Sequence, residues 1–209
     1  MRLSRPLDKI LNSEIKVRIL RVFCRTAEEV SGRQIAKRVG VSPKAAHEAL
    51  QDLLGEGLLL MRSVGKTYLF RLNEDLEIVR SVLRFLFVEE EGLKRKLFGA
   101  VSGAIKQSPL KDDILSVAVF GSVHAETERS TSDVDLLVVV KAGEFKKKVE
   151  NLFFEIDQRL SSRWGNLLSP YVSSLAEFKS KAKKKEGIVS QVLKSYRLIY
   201  GDRLEKLLR

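Results

Sequence analysis

The first 72 residues carry apolar patterns of two kinds, helical and then extended. Three successive segments repeat apolar residues at helical spacing; they are 15–23, 31–39 and 42–54. Two shorter runs, 58–61 and 67–70, are typical of β-strands and flank Gly65-Lys66. The pattern therefore predicts three helices followed by a β-hairpin with a basic tip.

The rest of the chain begins with a long amphipathic segment, 76–87, which predicts a connecting helix. We expect the run Glu89-Glu90-Glu91-Gly92 to interrupt this helix before helical spacing resumes at 93–105. Buried strands and helices then alternate. The predicted strands are 114–120, 134–140 and 166–173, and the predicted helices are 144–160 and 175–200, the last with an exposed lysine run.

The length of the chain favours two small domains. A chain of 209 residues is long enough for two modest hydrophobic cores. We expect a first domain at 1–75, a connecting helix at 76–94 and a second domain at 95–209. The expected fold class is α/β, or α+β for the chain as a whole, with a mixed sheet and flanking helices in the second domain.

Charge and composition limit the partners and the location that we expect for the protein. The net charge is +11, and residues 1–72 hold 14 Lys and Arg against 7 Asp and Glu. Such an excess attracts polyanions, and nucleic acid is the commonest partner of a small basic domain. Cys24 is the only cysteine, which excludes an intramolecular disulfide. No apolar run approaches a membrane span or a signal peptide, so we expect a cytoplasmic protein with no membrane partner.

The stretch GRQIAKRVGVSPKAAHEALQDLLGEGLL, together with the order of three helices and a hairpin, resembles winged helix-turn-helix transcriptional regulators. The resemblance implies that the helix beginning at Ser42 enters the major groove of double-stranded DNA. Candidate contacts on this helix are Ser42, Lys44, Ala45 and His47, and candidate phosphate contacts are Gln34, Arg38, Arg62 and Lys66. Winged helices that mediate protein contacts are the alternative.

A second segment that indicates function is VAVFGSVHAETERSTSDVDLLVVV, which contains candidate metal and phosphate ligands. A buried strand ends at Gly121-Ser122, and ten residues later Asp133 and Asp135 enter a second strand. Because side chains alternate along a strand, the two carboxylates lie on the same side. Hard oxygen ligands of this kind suit Mg²⁺, which completes its shell with nucleotide phosphates. Gly121 allows the backbone to approach a phosphate closely, and the Ser122 hydroxyl can donate to it.

This segment resembles the polymerase-beta-like nucleotidyltransferase superfamily, in particular its minimal members. The resemblance implies that Asp133 and Asp135 are catalytic metal ligands and that Gly121 and Ser122 contact the nucleotide. The implied cofactors are Mg²⁺ and ATP or another nucleoside triphosphate. The alternative is a pair of aspartates that only cap a loop.

The segment departs from the family pattern in three respects. Minimal members carry arginine directly after Gly-Ser and a glycine a few residues on, where this chain has Val123 and Glu126. The family also places a third carboxylate on the following strand, and residues 167–172 contain none. His124 has no evident partner in the sequence, and Arg129 is the candidate replacement for the missing basic contact.

The sequence thus predicts a transcriptional regulator whose second domain binds nucleotide and magnesium, with weak or no catalysis. One alternative is an active enzyme that transfers a nucleotide from ATP to a protein, a small molecule or RNA. Another is an antitoxin-like module that binds a partner toxin-like protein. We also expect a homodimer, because the apolar face of 76–87 is wider than one small domain needs to cover.

Overall fold

The computed structural model describes residues 3–209, and its contacts divide the chain into two compact units, 1–93 and 94–209. Helices and two separate sheets are present in the chain, which confirms the α+β class. No helix within the described residues is long and apolar enough to cross a membrane.

The first unit contains the helices that the apolar pattern predicts. Its elements are α1 (Leu7–Ile10), α2 (Glu14–Arg25), β1 (Val30–Ser31), α3 (Gly32–Val39), α4 (Pro43–Gly55), β2 (Leu59–Val64) and β3 (Thr67–Leu72). Ser31 and Gln34 form a capping box at the start of α3, and Gly40 ends this helix in the left-handed conformation. The Ser42 hydroxyl caps α4, which begins with Pro43. These local signals explain the short turn between α3 and α4.

A small antiparallel sheet, in the order β1-β3-β2, completes this unit. The β2 and β3 strands pair from Leu59↔Leu72 to Val64↔Thr67, so Gly65 and Lys66 form the predicted two-residue turn. Both strands are longer than predicted, and the two-residue strand β1 was not predicted. The order of α2, α3, α4 and the β2–β3 wing is that of a winged helix-turn-helix.

The interruption expected at 89–92 is wrong. A π-helical turn at Val79–Leu83 leads into α5 (Arg84–Gln107), which continues through Gly92. A glycine inside a helix costs only about 1 kcal/mol relative to alanine, which neighbouring contacts can offset. Here Arg21 forms a bidentate ion pair with Glu90, with bonds of 2.6 and 2.8 Å. The division between the two units falls inside α5.

The second unit is built on a four-stranded mixed sheet in the order β6-β5-β4-β7. Its elements after α5 are β4 (Ile114–Val119), α6 (Gly121–Ala125), β5 (Val134–Val140), a 3₁₀ turn (Gly143–Phe145), α7 (Lys146–Trp164), β6 (Leu168–Ser174), α8 (Leu175–Lys184), α9 (Gly187–Val192), β7 (Arg197–Gly201) and α10 (Leu204–Leu207). The β5 strand runs antiparallel to β4 and parallel to β6. Side chains from α5 and α7 pack on one face of the sheet, and side chains from α8, α9 and α10 pack on the other.

The prediction of a single helix over 175–200 is also wrong. The helix α8 ends at Lys184, the following Lys185 adopts a left-handed conformation with φ of 55°, and α9 begins at Gly187. Residues Arg197–Gly201 then form β7, which pairs with β4. This edge strand has no strong apolar alternation of its own, so its pairing with a buried neighbour decides its conformation.

Candidate nucleotide site and nucleic-acid interface

The two aspartates lie where β5 begins. Asp133 immediately precedes the strand and is exposed, whereas Asp135 lies on it and is half-buried. Val134 and Leu136 belong to one core and Leu137 to the other, so alternation places Asp133 and Asp135 on the Leu137 side. Burial, and then the charge of Asp133, raise the pKa of Asp135. The geometry therefore brings two carboxylates close enough to repel each other.

Gly121 lies directly against Asp135. It follows β4, it has a φ of 70°, and the preceding Phe120 N–H donates to the Asp135 carbonyl over 3.1 Å. A Cβ at Gly121 would overlap Asp135 Oδ2 and would lie 3.1 Å from Asp135 Cγ. Ser122 is half-buried, and within residues 3–209 its hydroxyl has no hydrogen-bond partner. The turn thus brings the backbone of Gly121 against the Asp135 carboxylate.

No third carboxylate completes this pair. Ser169 is the residue of β6 that aligns with Asp135, and it is exposed. Asp157 accepts a hydrogen bond from the Leu168 N–H at 2.7 Å, and Glu155 pairs with Arg159 at 3.5 Å, so both have structural contacts elsewhere. In the described part of the chain, no three His, Cys, Asp or Glu side chains form a group that could hold a metal ion.

Basic and polar side chains surround the short helix α6. His124, for which the sequence shows no partner, has its Nε2 atom 2.9 Å from Ser195 Oγ. Lys94 donates to the Val123 carbonyl over 3.0 Å and pairs with Glu128 at 3.0 Å. The Arg197 guanidinium lies 5.4 Å from the ring centre of Phe98. The sequence did not indicate Lys94 or Arg197, because each comes from a distant element.

Arg129 lies in the loop before β5. Its side chain is exposed, and its backbone N–H donates to Ser132 Oγ over 2.9 Å. The structure records no contact of the Arg129 side chain with Asp133 or Asp135, so its role as a replacement phosphate contact stays a prediction.

In the first unit, a cleft lies between the starts of α3 and α4 and the wing. Its polar lining includes Arg33, His47, Lys66 and Tyr68. His47 and Lys44 are exposed on α4, and Lys66 is exposed at the tip of the wing. The structure therefore places three of the proposed DNA contacts on exposed parts of α4 and the wing. Arg33 and Tyr68 were missed, because only the tertiary structure brings α3 and the wing together.

The other proposed DNA contacts have partners within the protein. Gln34 Oε1 accepts the Ser31 N–H at 3.0 Å, and Ser42 Oγ accepts the N–H of the half-buried Ala45 at 3.2 Å. Arg38 pairs with Glu28 at 3.4 Å. Arg62 Nε lies 2.8 and 2.7 Å from the two carboxylate oxygens of Glu29. A phosphate would have to compete with these carboxylates for both arginines.

Residues 105–203 match the family model for polymerase beta, nucleotidyltransferase. This segment is a polymerase-beta-type nucleotidyltransferase domain. The matched residues include the Gly121-Ser122 turn, both aspartates and the strands β4 to β7. The edge strand β7, which the sequence pattern did not predict, therefore belongs to the nucleotidyltransferase domain.

Comparison with solved structures gives matches of low similarity. One is a homodimeric winged helix-turn-helix DNA-binding domain from Mycobacterium bovis, with 23% identity and a TM-score of 0.35, covering 42% of this chain and 77% of that chain. Another is a toxin-antitoxin with AMP-PNP, with 17% identity and a TM-score of 0.33, covering 53% of this chain and 80% of that chain. The sequence matches none of the curated proteins with which it was compared. The winged-helix assignment therefore rests on the element order of the first unit.

Proposed function

We propose that the nucleotidyltransferase domain binds ATP or another nucleoside triphosphate together with Mg²⁺. The observation that carries this proposal is the contact between Gly121 and the Asp135 carboxylate, which joins a phosphate-binding turn to a cation-binding pair. The residues fit the metal. Burial and the charge of Asp133 raise the pKa of Asp135, and a divalent cation between the two carboxylates would relieve their repulsion.

In this proposal the two aspartates and the two residues of the turn each have a defined role. Asp133 and Asp135 hold Mg²⁺, which, when bound, neutralises charge on the phosphates. The Gly121 backbone makes room for the phosphates, and the Ser122 hydroxyl donates a hydrogen bond to them. Because Ser169, and not a carboxylate, aligns with Asp135, β6 offers no carboxylate to accept the proton of an attacking hydroxyl. We therefore propose binding with slow or absent turnover.

The alternative is an active transferase, which the intact pair of aspartates favours. The experiment measures transfer of label from α-labelled ATP to an acceptor. Transfer that is lost in Asp133→Ala with Asp135→Ala would support the active transferase. Rapid transfer would show that a base outside β6 serves the reaction.

We also propose that the first unit binds double-stranded DNA and that the protein is a transcriptional regulator. The support is the basic charge of residues 1–72 and the cleft between α4 and the wing, which Arg33, His47 and Lys66 line. Lys44 and His47 lie near the start of α4, where a recognition helix contacts base edges.

Replacing Arg33 and Lys66 with alanine should weaken binding of duplex DNA of any sequence. Each lost phosphate contact lowers the slope of log affinity against log salt by about 0.9, so the double variant should lose roughly 2 from the slope. Lys9 and Arg80 are exposed, lie outside the cleft and carry the same charge, so Lys9→Ala with Arg80→Ala is the matched control. Fluorescence anisotropy of the full chain measures both. An equal effect of the two double variants would count against the cleft.

The homodimer is proposed to form through α5. Phe85 is 66% exposed, Val88 is 60% exposed, and Leu86 and Leu93 are exposed near them. Phe85→Glu with Val88→Glu should convert a dimer into a monomer, as measured by light scattering at micromolar concentration. Phe154 is 64% exposed on α7, so Phe154→Glu is the control that should leave the mass unchanged. A monomeric parent protein in the absence of DNA would contradict this proposal.

A further inference from the structure

Asp133 lies in the loop that leads into β5, and the sheet does not hold it directly. The pairing of β5 with β6 begins at Val134, which aligns with Leu168. In the part of the chain that the structure describes, the backbone of Asp133 makes no hydrogen bond, and its side chain is exposed. The position of this carboxylate therefore depends on what holds the residues on either side of it.

Two hydrogen bonds flank Asp133, and both lead to the turn between α7 and β6. Asn166 Nδ2 donates to the Ser132 carbonyl over 2.9 Å. The Val134 N–H donates to the Leu167 carbonyl over 2.8 Å. The residues before and after Asp133 are thus held by two consecutive residues of that turn, and only Asn166 does so with its side chain.

Ser132 also closes a tight turn within the loop. Its N–H donates to the Arg129 carbonyl over 2.9 Å, and its hydroxyl accepts the Arg129 N–H over 2.9 Å. At the other end of the loop, the Thr127 N–H donates to the Ser122 carbonyl over 3.0 Å. The loop therefore has a defined shape of its own, and the bond from Asn166 joins its end to the turn after α7.

The segment that carries Asn166 is anchored on both sides. Before it, Trp164 at the end of α7 packs against the core of the second unit. After it, the Leu168 N–H donates to Asp157 Oδ1 of α7 over 2.7 Å, which ties the start of β6 to the helix. Asn166 itself is half-buried. A side chain with such support can hold the Ser132 carbonyl in one place.

We propose that Asn166 is a positioning residue for the metal site of the nucleotidyltransferase domain. Its amide holds the Ser132 carbonyl, and this bond sets Asp133 so that its carboxylate and that of Asp135 bind the same cation. Metal ligands must lie within about 0.5 Å of their productive positions, and loss of a group that orients a ligand typically weakens metal binding by roughly 10- to 100-fold. The inference rests on the proposed function and adds to it a residue that binds neither metal nor nucleotide itself.

A bond that only stabilised the fold would give a different result. Its loss would lower the melting temperature and leave the affinity of the folded protein for its ligands unchanged. Loss of a positioning bond also lowers the affinity, because the Asp133 carboxylate then samples several positions and only some of them suit the cation.

The test compares the thermal response of the full chain to equimolar ATP and Mg²⁺ in the parent protein and in Asn166→Leu. This substitution removes the amide and nearly keeps the size of the side chain. The rise in melting temperature depends on the ratio of ligand concentration to dissociation constant. The concentration that produces a given rise should therefore be about tenfold higher in Asn166→Leu. Differential scanning fluorimetry measures it.

Tyr200→Phe is the matched control in the same unit. It removes another hydrogen bond from a side chain to a backbone carbonyl, that of the Tyr200 hydroxyl with Lys111 at 2.8 Å. Tyr200 lies on β7, and β4 separates this strand from β5. The control should lose some stability and should need the same ligand concentration as the parent protein for a given rise.

A second measurement needs no ligand. Hydrogen exchange at the Val134 amide, followed by NMR, should become faster in Asn166→Leu and should stay unchanged in Tyr200→Phe, because only the first variant frees the loop. The Leu168 amide, which Asp157 holds, should stay protected in both variants. Asn166→Ala removes the same amide without adding an apolar group, and it carries the same two expectations if Asn166→Leu does not fold.

Three results would each overturn the role of Asn166. They are an unchanged ligand response in Asn166→Leu, an equal loss of response in Tyr200→Phe, and an unchanged exchange rate at the Val134 amide. A parent protein that does not respond to ATP and Mg²⁺ would instead reject the proposed nucleotide site, and this inference with it.

Discussion

ATP with Mg²⁺ should raise the melting temperature of the parent protein and should not raise that of Asp133→Asn with Asp135→Asn. A ligand present at 100 times its dissociation constant stabilises the folded state by about 2.7 kcal/mol. For a unit of this size, that free energy corresponds to roughly 10 °C. The effect should require both ligands together, because the cation bridges the carboxylates and the phosphates. Differential scanning fluorimetry with each ligand alone and with both measures this dependence.

The control for this experiment must change charge without touching the site. Asp112 and Glu150 are exposed, and Asp112→Asn with Glu150→Gln removes the same two negative charges from the second unit. This variant should keep the full thermal shift. An unchanged melting curve of the parent protein at millimolar ATP and Mg²⁺ would contradict the nucleotide site.

The stability of the ligand-free protein should depend on pH through Asp135. Burial and the charge of Asp133 raise the pKa of Asp135 in the folded state above its ordinary value. The stability associated with a raised carboxyl pKa is present below the unfolded pKa and is lost as the pH rises through the folded pKa. Asp135→Asn should therefore make the ligand-free protein more stable at neutral pH, and this gain should disappear in acid.

Gly121→Ala should abolish the thermal shift that ATP and Mg²⁺ produce. At a φ of 70°, alanine is strained by about 1 to 2 kcal/mol. Its Cβ would also overlap Asp135 Oδ2, so the carboxylate must leave its position. The variant should therefore fold with reduced stability and lose the geometry that joins the turn to the carboxylates. Scanning fluorimetry with and without ligands measures both effects.

Gly165 provides a matched control in the same unit. Its φ is 75°, and a Cβ there would meet nothing within 4 Å. Gly165→Ala should lose a similar amount of stability from backbone strain and should keep the response to ATP and Mg²⁺. If both glycine variants respond to the ligands as the parent does, the contact of Gly121 with Asp135 does not matter for binding.

The elements that could be predicted from the sequence are those with strong local signals. The capping residues Ser31 and Ser42 and the left-handed Gly40 mark the ends of α3 and α4, and the continuous apolar runs of β4 and β5 mark buried strands. Such signals act over a few residues, so they can be read without knowing the rest of the chain. The strand β7 has no such signal, and its pairing with β4 determines it.

Part of the candidate site could also be predicted from the sequence. The spacing of Gly121, Ser122, Asp133 and Asp135 predicts the candidate nucleotide site, because each residue lies at or beside the end of a strand that the pattern predicts.

The sequence by itself determined which side chains are available to the site, including the two aspartates and the absence of a carboxylate at 167–172. Only the tertiary structure decided that Gly121 touches Asp135 and that Ser169 aligns with Asp135. The physical reason is that these contacts join residues far apart in the chain. Sheet register and helix packing determine them, and no local pattern encodes either one.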